Sequence, residues 1–306
     1  MALVVAVGVA GTLVAVSSVS CSSPQPATEG GPPPPPAGDG GRALLIKPET
    51  CQRCHQQHYT DWAHSVHAYA SDDPVFLAMN KRGQRETDGG LGDFCVQCHA
   101  PMAVMDGKTS DGLNLADLGP EYHGVTCFFC HSVNSVTGTH NAALTLSGDL
   151  KMRGEYSDPI ANEVHNSTYS SFFERDQQPT SQMCGACHDI VVRNTNAFIE
   201  RTFCEWSNSA FGQGTGVGGQ SCIQCHMDES EGGIAQVPNA PTRLYHAHDW
   251  PAVDVALNAA DGVAQSRVQQ FLATSFRAAL CVTQANGIRV IVDPATLGHG
   301  WPSGSA

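Results

Sequence analysis

The chain has 306 residues and a formal net charge of −13, because 16 Lys and Arg stand against 29 Asp and Glu. This length allows one large domain or two small ones. The acidic balance argues against nucleic acid as a partner and against docking on an anionic lipid surface. The unusual counts are 13 Cys and 14 His, and they decide the functional interpretation.

Residues 1–20 are predicted to be a signal peptide. Leu3–Val16 is an uncharged apolar run that is too short to cross a bilayer, although no Lys or Arg precedes it. Cys21 follows small residues and resembles a bacterial lipoprotein site; the alternative is a buried N-terminal helix. Residues 21–43 are rich in Pro and Gly and are predicted to be a tether. The folded part is expected to begin near Leu44, in a protein that is exported to the periplasm or outer membrane and touches the membrane only through a lipid on Cys21.

Five segments share the pattern C-x-x-C-H, which is the attachment signature of c-type haem. Two thiols at this spacing reach the two vinyl groups of one porphyrin, and the adjacent imidazole then becomes the proximal ligand of the iron. The sequence therefore predicts five haem c groups. The predicted attachment cysteines are Cys51, Cys54, Cys95, Cys98, Cys127, Cys130, Cys184, Cys187, Cys222 and Cys225, and the predicted proximal ligands are His55, His99, His131, His188 and His226.

Other uses of these cysteines explain the pattern less well. A tetrahedral zinc site needs two C-x-x-C pairs at a set spacing, and it gives no reason for a His after every second Cys. Thioredoxin-like chemistry needs one such pair rather than five. Of the remaining cysteines, Cys204 and Cys281 could form a disulfide in an oxidising compartment, or could be two buried thiols.

Nine further histidines are available as distal ligands, and about five are expected to serve. Met102, Met105 and Met227 are poor candidates, since each follows its own C-x-x-C-H closely and would have to reach the opposite face of the haem. A short internal repeat, W-x-x-S-x-[HF], begins at Trp62 and again at Trp206. It predicts a helix whose indole packs against a haem edge, with His67 facing an iron and Phe211 in the equivalent place.

The predicted fold is mainly α and coil, with short helices around stacked haems and a small β element at the C-terminus. The pentahaem domain is predicted over residues 44–280 and the β segment over 281–306. A longer helix is predicted over Asp254–Leu280, where apolar residues recur at helical spacing, although Gly262 weakens it. Gly287–Asp293 alternates like a strand.

The chain resembles the bacterial multihaem cytochromes c related to the tetrahaem cytochrome of ammonia-oxidising bacteria. The resemblance is carried by CQRCHQQHYTDWAHSVHA, FCVQCHAPMA, GVTCFFCHSV, MCGACHD and SCIQCHM, with GHGWPSG near the end, and it covers about residues 45–303. It implies a β-rich region after the last haem. The short segment here is then either a truncated region or a genuinely short C-terminus.

The resemblance also implies distal ligands. His67 in W-x-x-S-x-H, His165 upstream of the fourth motif and His299 in G-H-x-x-P-[ST]-G match distal positions. For the fifth haem, His248 is the candidate, with His246 as its competitor. His140 and His123 are the alternatives for the remaining distal-ligand position. His58 and His64 match variable positions and are expected to face solvent.

These features favour an electron carrier over an enzyme. Related nitrite and sulfur-oxyanion reductases usually bind their catalytic haem through C-x-x-C-K, which this chain lacks, and the hydroxylamine-oxidising relatives carry eight haems. The expected partners are redox proteins, either basic or themselves multihaem cytochromes, and the haem propionates would add to the acidic charge. The alternative is an oxidoreductase that acts on a small nitrogen or sulfur compound at one five-coordinate haem.

Overall fold

The computed structural model describes residues 40–160, 165–176, 178–193, 195–214, 218–237, 239–252, 262–282, 287–301 and 303–304. The predicted signal peptide and most of the tether therefore lie outside the described residues. Over the described ranges the chain forms twelve α-helices, most of them one or two turns long. They are α1 (Gly40–Leu45), α2 (Pro48–Gln52), α3 (Gln56–Ala63), α4 (Val66–Tyr69), α5 (Pro74–Glu86), α6 (Val96–His99), α7 (Pro101–Met105), α8 (Cys127–His131), α9 (Gln178–Gly185), α10 (Thr202–Asn208), α11 (Cys222–His226) and α12 (Gly262–Ser275).

The described ranges also contain ten short strands, which form five separate two-stranded pairs. The antiparallel pairs are β1 (Val133–Val136) with β2 (Leu144–Leu146), β5 (Ile190–Val191) with β6 (Phe198–Glu200), β7 (Glu229–Gly233) with β8 (Thr242–His246), and β9 (Phe276–Val282) with β10 (Ile288–Pro294). The remaining pair, β3 (Lys151–Gly154) with β4 (Asn166–Tyr169), is parallel. In the described part of the chain, three 3-10 helices cover Leu115–Asp117, Pro120–Tyr122 and Ser171–Phe173. The helix-and-coil prediction is confirmed, but the strand pairs are spread along the chain rather than confined to its end.

The aliphatic and aromatic core is small for a chain of this length. One cluster centres on Met102, Phe128 and Phe129, and a second on Phe76 and Val96. The first cluster includes residues of the third and fourth C-x-x-C-H segments, and the second cluster includes Val96 of the second segment. No described helix has the length and apolarity needed to cross a membrane.

The W-x-x-S repeat has the same local structure in both copies. The indole N–H of Trp62 donates to the carbonyl of Val125 at 2.8 Å, and that of Trp206 donates to the carbonyl of Gln220 at 2.8 Å. Each acceptor lies two residues before a C-x-x-C-H segment, namely the third and the fifth. In each copy the Ser hydroxyl donates to the Trp carbonyl at 2.7 Å. In both copies, the Trp side chain thus hydrogen-bonds a helix to the backbone just before a C-x-x-C-H segment.

The helix predicted over Asp254–Leu280 is partly wrong. Of the described residues, Gly262–Ser275 are helical, while Phe276–Leu280 belong to β9. These residues pair in register with β10, whose bounds agree with the predicted strand to within one residue. Ladder hydrogen bonds to β10 outweigh the helical apolar spacing of a short segment. The hairpin therefore begins five residues before the predicted domain boundary at 281, and Cys281 is an exposed free thiol rather than the partner of Cys204.

Candidate functional site

The five C-x-x-C-H segments lie on short helices or at helix ends, and local capping explains why. Thr126 precedes Cys127, and its hydroxyl accepts a hydrogen bond from the backbone N–H of Phe129. Ser221 precedes Cys222 and forms a capping box with Gln224. A cap at this point starts the helix at the first Cys, so that the second Cys and the His follow on the same turn and its end. All ten cysteines of the motifs are free thiols.

Thiols from different motifs contact each other. Cys51 of the first motif is hydrogen-bonded to Cys127 of the third, which lowers the pKa of Cys51 and raises that of Cys127. In the same way Cys98 of the second motif contacts Cys187 of the fourth. Cys184 of the fourth contacts Cys222 of the fifth. Helix packing supports these contacts, since α2 lies on α8 and α9 lies on α11. These contacts join the first motif to the third, and the second and fifth motifs to the fourth; an electrostatic interaction between Cys130 and Cys187 links the two groups.

Four of the five motif histidines have their Nδ1 atom engaged by a backbone carbonyl. The distances from Nδ1 to the carbonyl oxygen are 2.9 Å for His55 and Ile234, 2.8 Å for His99 and Ala70, 2.5 Å for His131 and Arg153, and 3.0 Å for His226 and Pro251. A carbonyl accepts only from an N–H, so this contact fixes the neutral tautomer that keeps the lone pair on Nε2. Each ring is therefore prepared to bind a metal through Nε2.

Four motif histidines face a second histidine at nearly constant separation. The ring centroids are 6.2 Å apart for His55 and His165, 6.1 Å for His188 and His67, 6.3 Å for His131 and His248, and 6.1 Å for His226 and His299. A metal–imidazole bond of about 2.0 Å and a nitrogen-to-centroid distance of about 1.1 Å place two trans imidazoles about 6 Å apart. The residues therefore fit iron held between two histidines. The fit depends on partners that are far apart in sequence, and it does not follow from the C-x-x-C-H pattern.

The ring planes distinguish one pair from the other three. His188 and His67 are crossed at 69°, whereas the other pairs are inclined at 14° to 33°. Trp250 lies edge-on against His67, with ring centroids 4.6 Å apart, and also edge-on against His248, at 5.2 Å. Its indole therefore separates two histidines that belong to neighbouring motifs.

Several predicted distal ligands are placed differently. His248, predicted for the fifth haem, faces His131 of the third motif, and the fifth motif faces His299. His246 is buried, with its Nε2 atom 3.2 Å from the carboxylate of Glu155. His123 pairs through Nδ1 with Asp72 at 2.9 Å.

His99 of the second motif has no histidine opposite it within the described part of the chain. Its one ring contact there is with Phe76, which stacks on it at 4.1 Å. Neither His123 nor His140, the two candidates for the last distal place, is brought to His99. The described residues therefore form four such histidine pairs, where the sequence predicts five.

His58 is not the solvent-facing residue that the resemblance implies. Its ring lies 5.9 Å from His55 and 4.9 Å from His248, and its Nδ1 atom is buried without a hydrogen-bond partner. Burial, followed by the neighbouring histidines, lowers the pKa of His58 to about 4. Its proximity to the first motif, three residues away on α3, is the sequence signal that could have identified it.

Burial keeps three of the paired histidines neutral, namely His67, His226 and His248. It is the main cause that lowers the pKa of His67 to about 3 and that of His226 to about 4, with neighbouring histidines adding to the effect. The pKa of His248 is lowered for the same reasons. Since a metal binds the unprotonated imidazole, these rings are in the binding form at physiological pH.

His188 has a carboxylate neighbour where the other motif histidines have a carbonyl. Its Nδ1 atom lies 3.4 Å from Oε1 of Glu200, whose side chain is only 5 % exposed. Burial acts to lower the pKa of His188, but the hydrogen bond and the charge of Glu200 outweigh it and raise the pKa to about 9. Glu200 has no motif by which the sequence could identify it, since it is a single Glu after Phe198 and Ile199.

Comparison with known proteins supports the same chemistry. Residues 50–132 match the family described as Cytochrome c554 and c-prime. The matched range contains the first three C-x-x-C-H segments, Trp62 and His67, and it ends before the fourth and fifth motifs. No significant match to a curated protein or to a solved structure was found. Within the matched range and through its repeated motifs, the chain resembles multihaem c-type cytochromes, which bind haem covalently and serve in electron transfer.

Proposed function

We propose that the chain is a pentahaem c-type cytochrome that carries electrons between redox partners in the bacterial cell envelope. The observation that carries this proposal is the set of four histidine pairs whose ring centroids lie 6.1 to 6.3 Å apart, each built on a C-x-x-C-H segment. Bound haem would supply a one-electron Fe(III)/Fe(II) couple at each motif.

The cysteines would attach the haems, and the histidines would bind their irons. In each motif the two thiols would form thioethers, and the His would bind through Nε2 because its Nδ1–H is held by a neighbouring acceptor. The second His of each pair would be the other ligand of the iron and would leave no position open for a substrate. Such a closed site exchanges electrons without binding a substrate, which favours a carrier over an enzyme.

The contacts between thiols support one order of electron transfer. Cys51 meets Cys127, and Cys130 lies close enough to Cys187 to interact with it electrostatically. The order is then first, third, fourth and fifth motif, with the second motif joined to the fourth through Cys98. The fourth motif is the junction of this network.

Export and partners follow from the same proposal. Covalent haem attachment takes place outside the cytoplasm, so the protein would be exported, and Cys21 would carry a lipid at the head of the Pro/Gly tether. The net charge of −13 favours a basic redox partner. A second multihaem cytochrome is the other partner class that we propose.

The proposal is tested by maturing the chain in a host with the cytochrome c machinery and recording its redox-linked optical and EPR spectra. The expected result is four low-spin haems with two histidine ligands and one haem of different spin state at His99. A protein that matures without low-spin haem would contradict the carrier function.

A second candidate function is favoured by one observation, the absence of a facing histidine at His99 in the described residues. A haem there would keep a coordination position for a small nitrogen or sulfur compound, as in the enzyme alternative. Carbon monoxide added to the reduced protein tests this candidate. Binding at one haem of five would support it, and no binding would exclude an accessible position.

A further inference from the structure

The acceptor beside each motif histidine is the most informative difference between the five sites. Four Nδ1 atoms lie against neutral backbone carbonyls at 2.5 to 3.0 Å, while His188 of the fourth motif lies against the carboxylate of Glu200. The fourth motif is also the one whose thiols contact two other motifs. The carboxylate beside His188 would therefore affect electron transfer between the fourth motif and the motifs that it contacts.

The local fold holds Glu200 in this place. It ends β6 and pairs with Ile190 of β5, which follows His188 by two residues. The backbone N–H of Phe203 donates to the carbonyl of His188 at 2.9 Å and ties the next segment to the motif. The hydroxyl of Thr202 donates to Oε1 of Glu200 at 3.2 Å, the same oxygen that faces His188. The pairing with Ile190 and the hydrogen bond from Thr202 therefore both help to fix the position of the carboxylate.

A carboxylate polarises an imidazole N–H more strongly than a carbonyl does. The ligating nitrogen becomes more basic and donates more strongly to the metal, which stabilises the higher charge of Fe(III) relative to Fe(II). A negative charge in a poorly solvated position acts in the same direction, because it interacts with the metal through a low effective dielectric. Both effects lower the reduction potential of a haem at this motif.

We propose that Glu200 is a positioning residue that sets the fourth haem to the lowest potential of the four sites with paired histidines. The inference rests on the proposed electron-transfer function, and it adds a regulatory element to the network. Because the reduction potential of the fourth haem would be lower than those of its neighbours, an electron there would pass on to the second, third or fifth haem. Transfer into the fourth haem would be the unfavourable step.

The fourth haem can be recognised by its spectrum. Crossed imidazole planes leave the two iron orbitals of π symmetry nearly equal in energy, which produces a strongly anisotropic low-spin EPR signal. His67 and His188 are crossed at 69°, and the other three pairs are not. An EPR-monitored redox titration therefore follows this site separately from the rest.

The test compares the wild-type protein with Glu200→Gln, which keeps the shape and removes the charge. At a fixed potential, the reduced-to-oxidised ratio of the crossed-imidazole signal is expected to rise at least about tenfold, equal to a shift of ~59 mV for a one-electron couple. Glu205→Gln is the matched control. Its carboxylate accepts from Gly300 and Ser303, and the change removes one charge five residues away without touching His188.

A second variant reverses the sign and does not require Glu200 to be changed. Thr202→Val removes a donor from Oε1, so the carboxylate acts more fully on His188 and the same midpoint should fall. An unchanged midpoint in Glu200→Gln, an equal shift in Glu205→Gln or a rise in Thr202→Val would overturn the inference. If Glu200→Gln does not mature, Thr202→Val decides. Fewer than five haems in the wild-type protein would instead contradict the proposed function, so the two failures are distinguishable.

Discussion

The indole of Trp250 stands edge-on to the imidazole of His67, with ring centroids 4.6 Å apart and planes at 83°. The backbone of Trp250 has a φ of 38°, an unusual value for a bulky residue. Strain of this kind persists where the surrounding structure requires it. Here the indole contacts both His67 and His248, and we infer that it holds the ring of His67 crossed to that of His188.

Replacing Trp250 tests this account. Edge-to-face ring contacts contribute about 0.5–1.5 kcal/mol, so Trp250→Leu should free His67 to rotate. The strongly anisotropic EPR signal should shift toward that of the parallel pairs, while Trp250→Phe keeps much of it. Trp301→Leu is the control, because the described contact of Trp301 is with Phe276 of the hairpin. An identical signal in wild type and Trp250→Leu would show that the indole does not orient His67.

Replacing a facing histidine should change one haem and leave the others as they are. His67→Ala and His299→Ala should each convert one low-spin haem to high spin and raise its potential, because a donor to Fe(III) is lost. His123→Ala should change neither the spin states nor the potentials, since His123 pairs with Asp72 instead. EPR and a redox titration are the measurements. Unchanged spectra in both of the first two variants would remove His67 and His299 as ligands.

Gly124 positions the segment that carries His67. A Cβ atom there would lie 2.3 Å from the carbonyl oxygen of Ala68 and 2.4 Å from that of His67, and the φ is +61°. Gly124→Ala should therefore lower the free energy of unfolding by several kcal/mol, more than the roughly 1–2 kcal/mol that a left-handed backbone costs alone. Gly107→Ala is the matched control, with a φ of +62° and no atom within 4 Å. Denaturant titration of both variants measures the difference, and equal losses would contradict the close approach.

Membrane attachment is predicted to depend on one thiol. Cys21→Ser should move the protein from the membrane fraction to the soluble fraction, because the variant cannot carry the proposed lipid. Fractionation with immunodetection measures this, and haem content should be unchanged in the variant. A wild-type protein that is already soluble would contradict the anchor and leave export intact.

The sequence predicted those parts of the site that depend on local chemistry. The C-x-x-C-H segments, the W-x-x-S repeat and the strand near residues 287–293 are local patterns; the structure has the segments on short helices or at helix ends, both Trp residues on helices and a strand over Ile288–Pro294. Pairing of distal histidines was less predictable, because His131 and His248 meet although more than a hundred residues separate them in the sequence. The helix prediction failed at Phe276–Leu280 for the same reason, since its outcome depends on contact with β10. The contact of Glu200 with His188 could not be predicted from the sequence, because it depends on the pairing of Glu200 with Ile190.

The most direct test of the central claim is the intact mass of the matured chain under denaturing conditions. Thioether-linked haem survives denaturation, so each C-x-x-C-H segment that is occupied adds one haem to the mass. We expect five additions in the wild-type protein, and four when Cys184 and Cys187 are both replaced by Ala. Four or fewer additions at full occupancy of the wild-type chain would contradict the pentahaem account.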